Sequence, residues 1–487
     1  MIQKGLSGAM QLKVIAGNKA QANTATEPKS LVKLRTILND VGMRKKAPEE
    51  SFANFEKRLH DQLQAVERDL VAEELERSDV DATAILVEGV GYRRVLRSKQ
   101  TYMTCAGPVV VERALFKDRG NDHEKALVPM DLKVGIVGKF WTPMAAEQAA
   151  WVVSQLTPQN SEELFKRMGN MAPSKSSLDR LPKELAERWA DDTKGNEAAL
   201  RAAMTIPEEA VTVMASLDGV LAPMKDGEAV KKRARAAGEG QIAKGPSGYR
   251  EVGCAVLGFC DENGKLISAV RMAKMPEAHK ASLKDLLRAE LDMALSLRPD
   301  LRLVKGADGA NDNWTYLHKE LPAGIEVVDF FHAAEHLNGA LASIYGDGTV
   351  EARRRFNDLR HVLLEEEGGV GKVIRSLAYL EAKHPQKKVI KTELAYFRKY
   401  QKRMRYAEMK AEGLPIGTGV TEAACKTLVT QRLKQSGMRW SQDGGQAILN
   451  LRGWAQSERF DQAWAMLAAT YRAEITILNN VESIRSV

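Results

Sequence analysis

The sequence predicts a multidomain protein of mixed α and β structure, built around one mixed β-sheet. Three observations predict this class. The 487 residues are about three domains' worth of chain at roughly 150 residues each. The composition, 44% hydrophobic and 28% charged, is that of a folded globular protein. The hydrophobic pattern changes along the chain between the period of a helix and the period of a strand.

Composition excludes several classes of protein. No apolar run approaches the roughly 20 residues that a membrane helix needs, and the first residues carry charges where a signal peptide has its apolar stretch. The cysteines form no C-x-x-C pair, which argues against a secreted disulfide scaffold and a zinc ribbon; they are Cys105, Cys254, Cys260 and Cys425. We therefore expect a cytoplasmic protein without a membrane partner.

The first 200 residues predict two modules. Residues 1–80 contain an amphipathic helix over 50–77, which packs on its own domain or forms a short coiled coil and a dimer contact. Residues 81–200 predict a β-hairpin over 92–117 with its turn at Gly107-Pro108, followed by a helix–turn–helix pair. Gly169 is expected to end the first helix of the pair, and Ser174 or Ser176 to cap the second. Such pairs bind DNA in some proteins and only pack in others.

Residues 208–345 predict the sheet, in the order strand, hairpin, helix, strand, helix, strand. The first strand is expected to end at Asp218, and the hairpin to turn at Asn263-Gly264. The next strand is expected to end at Asp308. This order predicts a mixed sheet of five strands with helices packed on it, continued by the C-terminal residues 413–487.

A basic segment interrupts the predicted sheet domain. Residues 351–410 hold 16 Lys and Arg against 8 Asp and Glu, a net charge of +8 that equals the +8 of the whole chain. Apolar residues recur through the segment at helical spacing. Residues 346–412 are therefore interpreted as a basic all-helical insertion with nucleic acid as its expected partner, a solvated helix face being the alternative. Its candidate DNA contacts are Arg353, Arg354 and Arg355.

Three carboxylates are the candidate catalytic residues. Asp218 and Asp308 follow predicted strands, and ligands gather at the carboxyl ends of strands in open α/β sheets. Each Asp-Gly pair alone is typical of a turn, but two such carboxylates on neighbouring strands can share a divalent metal ion. Glu422 opens a helix after a glycine- and proline-rich stretch, on the same predicted face as Cys425. The alternative for Glu422 is an exposed residue favoured by the helix dipole.

The helix that Glu422 opens is also basic. Cations beside an aromatic ring suit a nucleic-acid backbone and an unstacked base, and the alternative is a core tryptophan beside a solvated face. The candidate DNA contacts here are Lys426, Arg432, Lys434, Arg439 and Trp440.

The segment GTGVTEAACKTLVTQRLKQSGMRWS, with SLDG and GADGA upstream, resembles bacterial insertion-sequence transposases of the DDE class, in particular the ISKra-like group. The resemblance extends over roughly residues 90–470. By motif matching, Asp218, Asp308 and Glu422 take the places of the family's Asp, Asp and Glu. Asp329-Phe330-Phe331-His332 resembles an Asp-x-x-His element of such families, which implies a catalytic His332 and an auxiliary Asp329.

The resemblance implies an RNase H-like catalytic core, interrupted by the helical insertion between Asp308 and Glu422. It implies two Mg²⁺ or Mn²⁺ ions per active site, held by the three carboxylates. The implied reaction is cleavage of the ends of an insertion sequence and joining of the freed 3′-hydroxyls to target DNA. The implied partners are DNA and further copies of the chain, as a homodimer or higher oligomer on DNA in a bacterial nucleoid. Recognition of the transposon ends is expected in residues 1–190.

Three alternatives remain open from the sequence. The first is a nuclease of this fold that cuts DNA without joining it, and the second is a DNA-binding regulator that retains the fold. The third and most remote is a zinc peptidase, because His332-Ala-Ala-Glu335-His336 matches the H-x-x-E-H pattern. In that alternative both histidines bind zinc and Glu335 is the base. In the transposase interpretation His336 is an ordinary helix residue.

Overall fold

The computed structural model describes residues 27–42, 49–118, 126–169, 171–225, 235, 238–240 and 248–478. Residues 1–26 and 479–487, at the ends of the first and last predicted domains, lie outside the described residues, as do most residues from 226 to 247, between the first strand of the sheet and the hairpin. The contacts within the chain divide it into two units, residues 1–73 and residues 74–487.

Nine β-strands occur in the part of the chain that the structure describes. They are β1 (Ala84–Val87), β2 (Val90–Thr104), β3 (Gly107–Asp118), β4 (Thr212–Pro223), β5 (Tyr249–Cys260), β6 (Leu266–Lys274), β7 (Arg302–Ala307), β8 (Ile325–Val328) and β9 (Ile475–Ile477). They form a four-stranded sheet in the order β3-β2-β1-β9 and a five-stranded sheet in the order β6-β5-β4-β7-β8.

The helices of the described residues fall into four groups along the chain: N-terminal, sheet-packing, insertion and C-terminal. They are α1 (Lys29–Gly42), α2 (Phe52–Ser78), α3 (Pro129–Val134), α4 (Pro143–Gln155), α5 (Pro158–Met168), α6 (Lys175–Ala190), α7 (Thr193–Ala202), α8 (Ala281–Leu297), α9 (Asn311–Lys319), α10 (Phe330–Tyr345), α11 (Val350–Glu365), α12 (Gly369–Lys383), α13 (Lys388–Tyr400), α14 (Tyr406–Ala411), α15 (Gly419–Ala424), α16 (Gln442–Gln456) and α17 (Phe460–Thr470). A π-helical turn (Cys425–Thr430) and a last α-helical turn (Gln431–Leu433) continue α15. None of these helices is long and apolar enough to cross a membrane.

The first unit contains α1 and most of α2, the helix predicted over 50–77. Polar contacts join the two helices. Ser30 donates to the Glu73 carboxylate from its main-chain nitrogen (3.2 Å) and its hydroxyl (2.8 Å), and Lys33 pairs with Asp69 at 2.6 Å. Part of the apolar pattern of α2 stays exposed, for example at Leu63.

The predicted β-hairpin of residues 92–117 is present and longer than predicted, as β2 and β3. The predicted position of the turn, Gly107-Pro108, is wrong, because these residues already pair with Thr104 and Met103 and the turn lies at Cys105 and Ala106. Gly107 has a φ of +112°, which favours glycine. The structure adds two strands that were not predicted. β1 pairs with β2, and β9 from the far end of the chain pairs with β1 through Ile85 and Ile477.

The predicted helix–turn–helix pair is present as α5 and α6. Gly169 ends α5 in the left-handed region, with φ +72°. Of the two predicted caps, Ser174 is the one observed, since its hydroxyl accepts a hydrogen bond from Ser177 N at 3.2 Å.

The five-stranded sheet has the mixed arrangement predicted from the sequence. β4, β5 and β6 are antiparallel neighbours, whereas β7 and β8 run parallel to β4. The β5–β6 turn forms where predicted, because Asp261 accepts hydrogen bonds from Asn263 N and Lys265 N (both 2.9 Å) and Gly264 takes φ +73°. The order agrees with the RNase H-like sheet that the family resemblance implies.

Both faces of this sheet are buried, because successive residues of β5 point alternately into two different cores. Ala255 and Leu257 face one core, which α8 and α10 complete. Cys254 and Val256 face a second core, which the helix carrying Cys425 completes.

The insertion helices α11–α14 share the first of these cores. Leu363, Leu377 and Phe397 belong to the same apolar cluster as the strand residues Leu217 and Val304. The insertion is therefore continuous with the sheet domain at the level of the core.

The C-terminal helices contribute to two cores. α15 and its continuation pack on the sheet, and α16 adds Ile448 and Leu449 to the same core. α16, through Leu451, and α17 also share a core with the helices α4 and α6. Trp189 and Trp454 meet there with ring centroids 4.5 Å apart. Residues distant in sequence form this core, so local periodicity could not assign it.

Candidate active site

Asp218 lies inside β4, at the point where this strand loses one of its two neighbours. Parallel pairing with β7 ends at Ser216 and Gly306, whereas antiparallel pairing with β5 continues to Pro223. The predicted strand end at Asp218 is therefore wrong, because the partner strand β5 keeps the chain extended. The Asp218 side chain still lies beyond the last parallel pair, at the carboxyl edge of the sheet.

Asp308 follows the last residue of β7, as predicted. One oxygen, Oδ1, accepts a hydrogen bond from Ala310 N at 3.0 Å. The Trp314 indole donates to the Asp308 carbonyl at 2.6 Å, and the Tyr400 hydroxyl donates to the Gly309 carbonyl at 2.8 Å. These contacts fix the turn that carries the carboxylate.

Asp218 and Asp308 influence each other electrostatically. Burial raises the pKa of Asp218, and the negative charge of Asp308 raises it further. The main-chain N–H of Gly219 donates to Asp218 at 2.7 Å, and this bond and the positive charge of Lys280 partly offset the rise. The edge thus concentrates negative charge in a partly desolvated place.

Glu422 lies in the first turn of α15, and its side chain is exposed. Its neighbours on the helix contact the carboxyl edge directly. Thr421 shares a hydrogen bond between hydroxyls with Ser216, and the Cys425 thiol donates to Asp218 Oδ2 at 3.8 Å. The helix predicted to carry the third carboxylate is therefore docked beside Asp218. No group of three or more His, Cys, Asp or Glu side chains in the described ranges is arranged to hold a metal ion.

Gly306 permits the close approach of this helix to the sheet. A Cβ atom at this position would lie 2.4 Å from the Met214 side chain and 2.8 Å from that of Thr418. Both distances are below van der Waals contact, so a larger residue would displace the chain that leads into α15.

Asp329 joins α10 to the start of α15. Its Oδ1 accepts a hydrogen bond from His332 N at 2.8 Å and so caps α10. Its Oδ2 accepts from the Thr418 hydroxyl at 2.9 Å and also from Thr418 N. These contacts give Asp329 a supporting position between two elements of the site.

His332 lies in the first turn of α10, beside the Asp308 turn. A Cβ atom on Gly309 would lie 3.9 Å from its Nε2. His336, which is expected to be an ordinary helix residue, has a ring that contacts His332 and Glu393 of the insertion. Glu335, the base of the peptidase alternative, is exposed, with its Oε2 3.7 Å from His332 Nδ1.

The three candidate arginines of the insertion are all exposed on α11, but two of them are ion-paired. Arg354 and Arg355 contact Glu351 at 3.0 Å and 2.8 Å. Arg353 lies beside them. These pairs reduce the positive charge that this turn offers to a polyanion.

The second group of candidate DNA contacts is divided by burial. Lys426, Lys434 and Arg439 are exposed. Arg432 is only 1% exposed, so the expected direct DNA contact is wrong in this conformation. Its guanidinium lies 5.3 Å from the Trp440 ring centroid, and burial lowers the pKa of Arg432 to about 10.

Trp440 is half-buried and held by the main chain at the end of β4. Its indole donates to the Leu433 carbonyl at 3.0 Å, and its main-chain nitrogen donates to the Pro223 carbonyl at 3.0 Å. The open alternative of a packed tryptophan describes this environment better than a ring free to stack on a base.

Sequence reasoning missed the residues of α13 that face the site, Glu393, Tyr396 and Tyr400. Helical spacing marks Tyr400 as apolar-facing, but nothing local distinguishes Glu393 from a solvated glutamate. What distinguishes Glu393 is its contact with His336, 57 residues earlier in the chain, and this contact exists only in the folded protein.

No protein-family model matches the chain, and no curated protein does. Among solved structures, the Drosophila P element transposase strand transfer complex aligns with 68% of this chain and 82% of that chain, at 12% sequence identity and a TM-score of 0.25.

Proposed function

We propose that the protein is a DDE transposase that cleaves the ends of an insertion sequence and joins the 3′-hydroxyls to target DNA. One observation carries the proposal. Asp218 and Asp308, from neighbouring parallel strands, lie at one edge of a mixed five-stranded sheet, and the helix bearing Glu422 is docked on that edge.

The residues present fit divalent metal ions in their chemistry. Mg²⁺ and Mn²⁺ prefer carboxylate oxygens, and the mutual repulsion of Asp218 and Asp308 in a partly buried place is the kind that a bound cation relieves. Asp218 and Asp308 would hold the ions, and Glu422 would complete the set. Such ions, when bound, polarise the scissile phosphodiester and stabilise the leaving oxygen.

The chain's own residues orient the carboxylates. Gly219 N holds one oxygen of Asp218, and Ala310 N holds one oxygen of Asp308, so the remaining oxygens are directed by the main chain. Asp329 contacts both the first turn of α10 and Thr418 before α15, and in this proposal it supports the positions of His332 and Glu422. His332 would contact the phosphate or a metal-bound group there.

DNA would be held by exposed cations. Arg353 on the insertion and Lys426, Lys434 and Arg439 after Glu422 are the candidates that remain at the surface. They would bind phosphates, with little dependence on base sequence. End recognition is assigned to residues 1–190, and assembly on two transposon ends would require at least two copies of the chain.

The test is incubation of the full chain with the terminal inverted repeats of its own element, Mg²⁺ or Mn²⁺, and a target plasmid. Joined products are the expected result. Cleavage without joined products would identify a nuclease, and binding without cleavage would identify a regulator.

The carboxylate variants Asp218→Asn, Asp308→Asn and Glu422→Gln should each abolish cleavage and largely spare DNA binding, because each removes a charge but little volume. Asp292→Asn, on the surface of α8, is the matched control. Metal-dependent cleavage that survives in any one of the three would remove that residue from the site.

A further inference from the structure

A hydrogen-bonded chain runs from the helical insertion to His332. His332 and His336 lie one turn apart on α10, and their Nε2 atoms are 3.2 Å apart. The other ring nitrogen of His336, Nδ1, lies 2.5 Å from Glu393 Oε2. Glu393 belongs to α13, so the chain joins the insertion to the carboxyl edge of the sheet.

Tyr396, one turn after Glu393 on α13, holds the His336 ring from its face. The two rings are stacked, with centroids 3.8 Å apart and planes inclined by 18°. The Tyr396 hydroxyl is buried and finds no hydrogen-bond partner among the described residues. Its contribution to the network is therefore the flat ring rather than the hydroxyl.

For two neutral rings, the partners indicate which nitrogen carries each proton. A carboxylate only accepts hydrogen bonds, so His336 Nδ1 donates to Glu393. In a neutral imidazole Nε2 is then the acceptor, and it receives a hydrogen bond from His332 Nε2–H. If the His332 ring is neutral, its Nδ1, which lies 3.7 Å from Glu335 Oε2, then carries no proton. Glu393 thus selects the tautomer of both rings.

The network ends beside the proposed catalytic carboxylates. His332 Nε2 lies close to Gly309, and Tyr400 from the same helix α13 donates to the Gly309 carbonyl at 2.8 Å. One helix of the insertion therefore contacts the Asp308 turn and also orients the neighbouring histidine.

We propose that Glu393, His336 and Tyr396 are positioning residues that fix the orientation and tautomer of His332 at the active site. The inference rests on the proposed function for its effect on catalysis, but the network itself is testable without DNA. It makes the insertion part of the catalytic apparatus in addition to a DNA-binding surface.

The first experiment examines the free protein by NMR, with histidine labelled by ¹⁵N. His336 should appear as a neutral ring protonated at Nδ1, with a downfield proton typical of a bond to a carboxylate, and His332 as a ring protonated at Nε2. Glu393→Ala should remove both signatures, whereas the surface variant Glu262→Gln should keep them. Unchanged tautomers in Glu393→Ala would overturn the proposal.

The second experiment measures cleavage at saturating DNA. Glu393→Ala and His336→Ala should lower kcat by at least about tenfold with little change in KM, because a small misplacement of a reacting group is costly. Tyr396→Phe keeps the stacked ring and should behave as wild type, whereas Tyr396→Ala should resemble Glu393→Ala. A kcat equal to that of the wild type in all four variants would show that the network has no catalytic role.

Elemental analysis tests the competing arrangement. A separation of 3.2 Å is also compatible with two nitrogens that bind one zinc ion, for which each bond is about 2.0–2.1 Å. One tightly bound zinc per chain, lost in both histidine variants, would replace the hydrogen bond by a metal site and overturn the proposal. If wild type cleaves no DNA but the tautomers are as expected, the proposed function fails and the network stands.

Discussion

At the scale of single residues, the structure places ionisable groups where their charge is costly. Asp218 is the clearest case, because burial and Asp308 both raise its pKa. An acid whose folded pKa exceeds its unfolded pKa destabilises the fold once it ionises. The penalty is absent below the ordinary pKa, grows as pH rises through the window up to the folded pKa, and is complete above it.

Asp218→Asn should therefore raise the melting temperature at neutral pH in the absence of divalent metal, while it abolishes cleavage. The gain should shrink in acid, where Asp218 itself becomes protonated and neutral. Thermal denaturation at neutral and acidic pH measures the difference. A stability difference that does not change with pH would contradict the electrostatic explanation.

Arg432 and Arg452 form a matched pair of buried arginines with opposite expectations. Arg432 Nε and Nη1 have no hydrogen-bond partner among the described residues, whereas Arg452 donates to the carbonyls of Leu428 (3.0 Å), Thr427 and Ser154 (2.5 Å). Arg432→Met should stabilise the protein by about 1–3 kcal/mol, since it removes an unsatisfied buried charge. Arg452→Met should destabilise it by a similar amount. Chemical denaturation measures both, and equal effects would contradict the pairing argument.

At the scale of elements, α11 shows that the net charge counted from the sequence can exceed the positive charge that stays unpaired at the surface. Glu351 neutralises two of its three adjacent arginines. Exposed ion pairs of this kind contribute little to stability. The two arginines can therefore exchange Glu351 for a DNA phosphate at a small cost in free energy.

Glu351→Gln should therefore strengthen DNA binding and steepen its dependence on salt by up to about two units of slope, since each phosphate contact contributes about 0.9. Arg353→Gln should reduce the slope by about one unit. Binding isotherms over a range of salt concentrations give both values. If neither variant changes the slope, α11 is only a solvated surface.

At the scale of the whole molecule, the cores do not follow the order of the sequence. The insertion shares its core with the sheet, and the C-terminal helices α16 and α17 share a core with α4 and α6. Deletion of residues 350–411 should therefore unfold the sheet domain, because it exposes the partners of Leu363, Leu377 and Phe397. Circular dichroism and thermal unfolding provide the measurement. A shortened chain that still unfolds cooperatively at the wild-type temperature would show that the insertion is an independent module.

The sequence by itself determined the features that depend on neighbouring residues. The spacing of apolar residues along the chain identified the strands of the mixed sheet and the long N-terminal helix. Turn chemistry identified the Asn263-Gly264 hairpin and the stop at Gly169, and it narrowed the helix cap to Ser174 or Ser176. Motif matching selected Asp218 and Asp308, which the fold brings to one edge; their proposed catalytic role stays a prediction, as does that of Glu422.

Only the tertiary structure decided the features that depend on distant residues. Pairing with β5 carries β4 past Asp218, and packing against Trp440 buries Arg432. Glu393 reaches His336 across 57 residues, and Arg452 reaches Ser154 across 298. The physical reason is that burial and hydrogen-bond partners are properties of the assembled chain, whereas periodicity and turn propensity act within a few residues of each position.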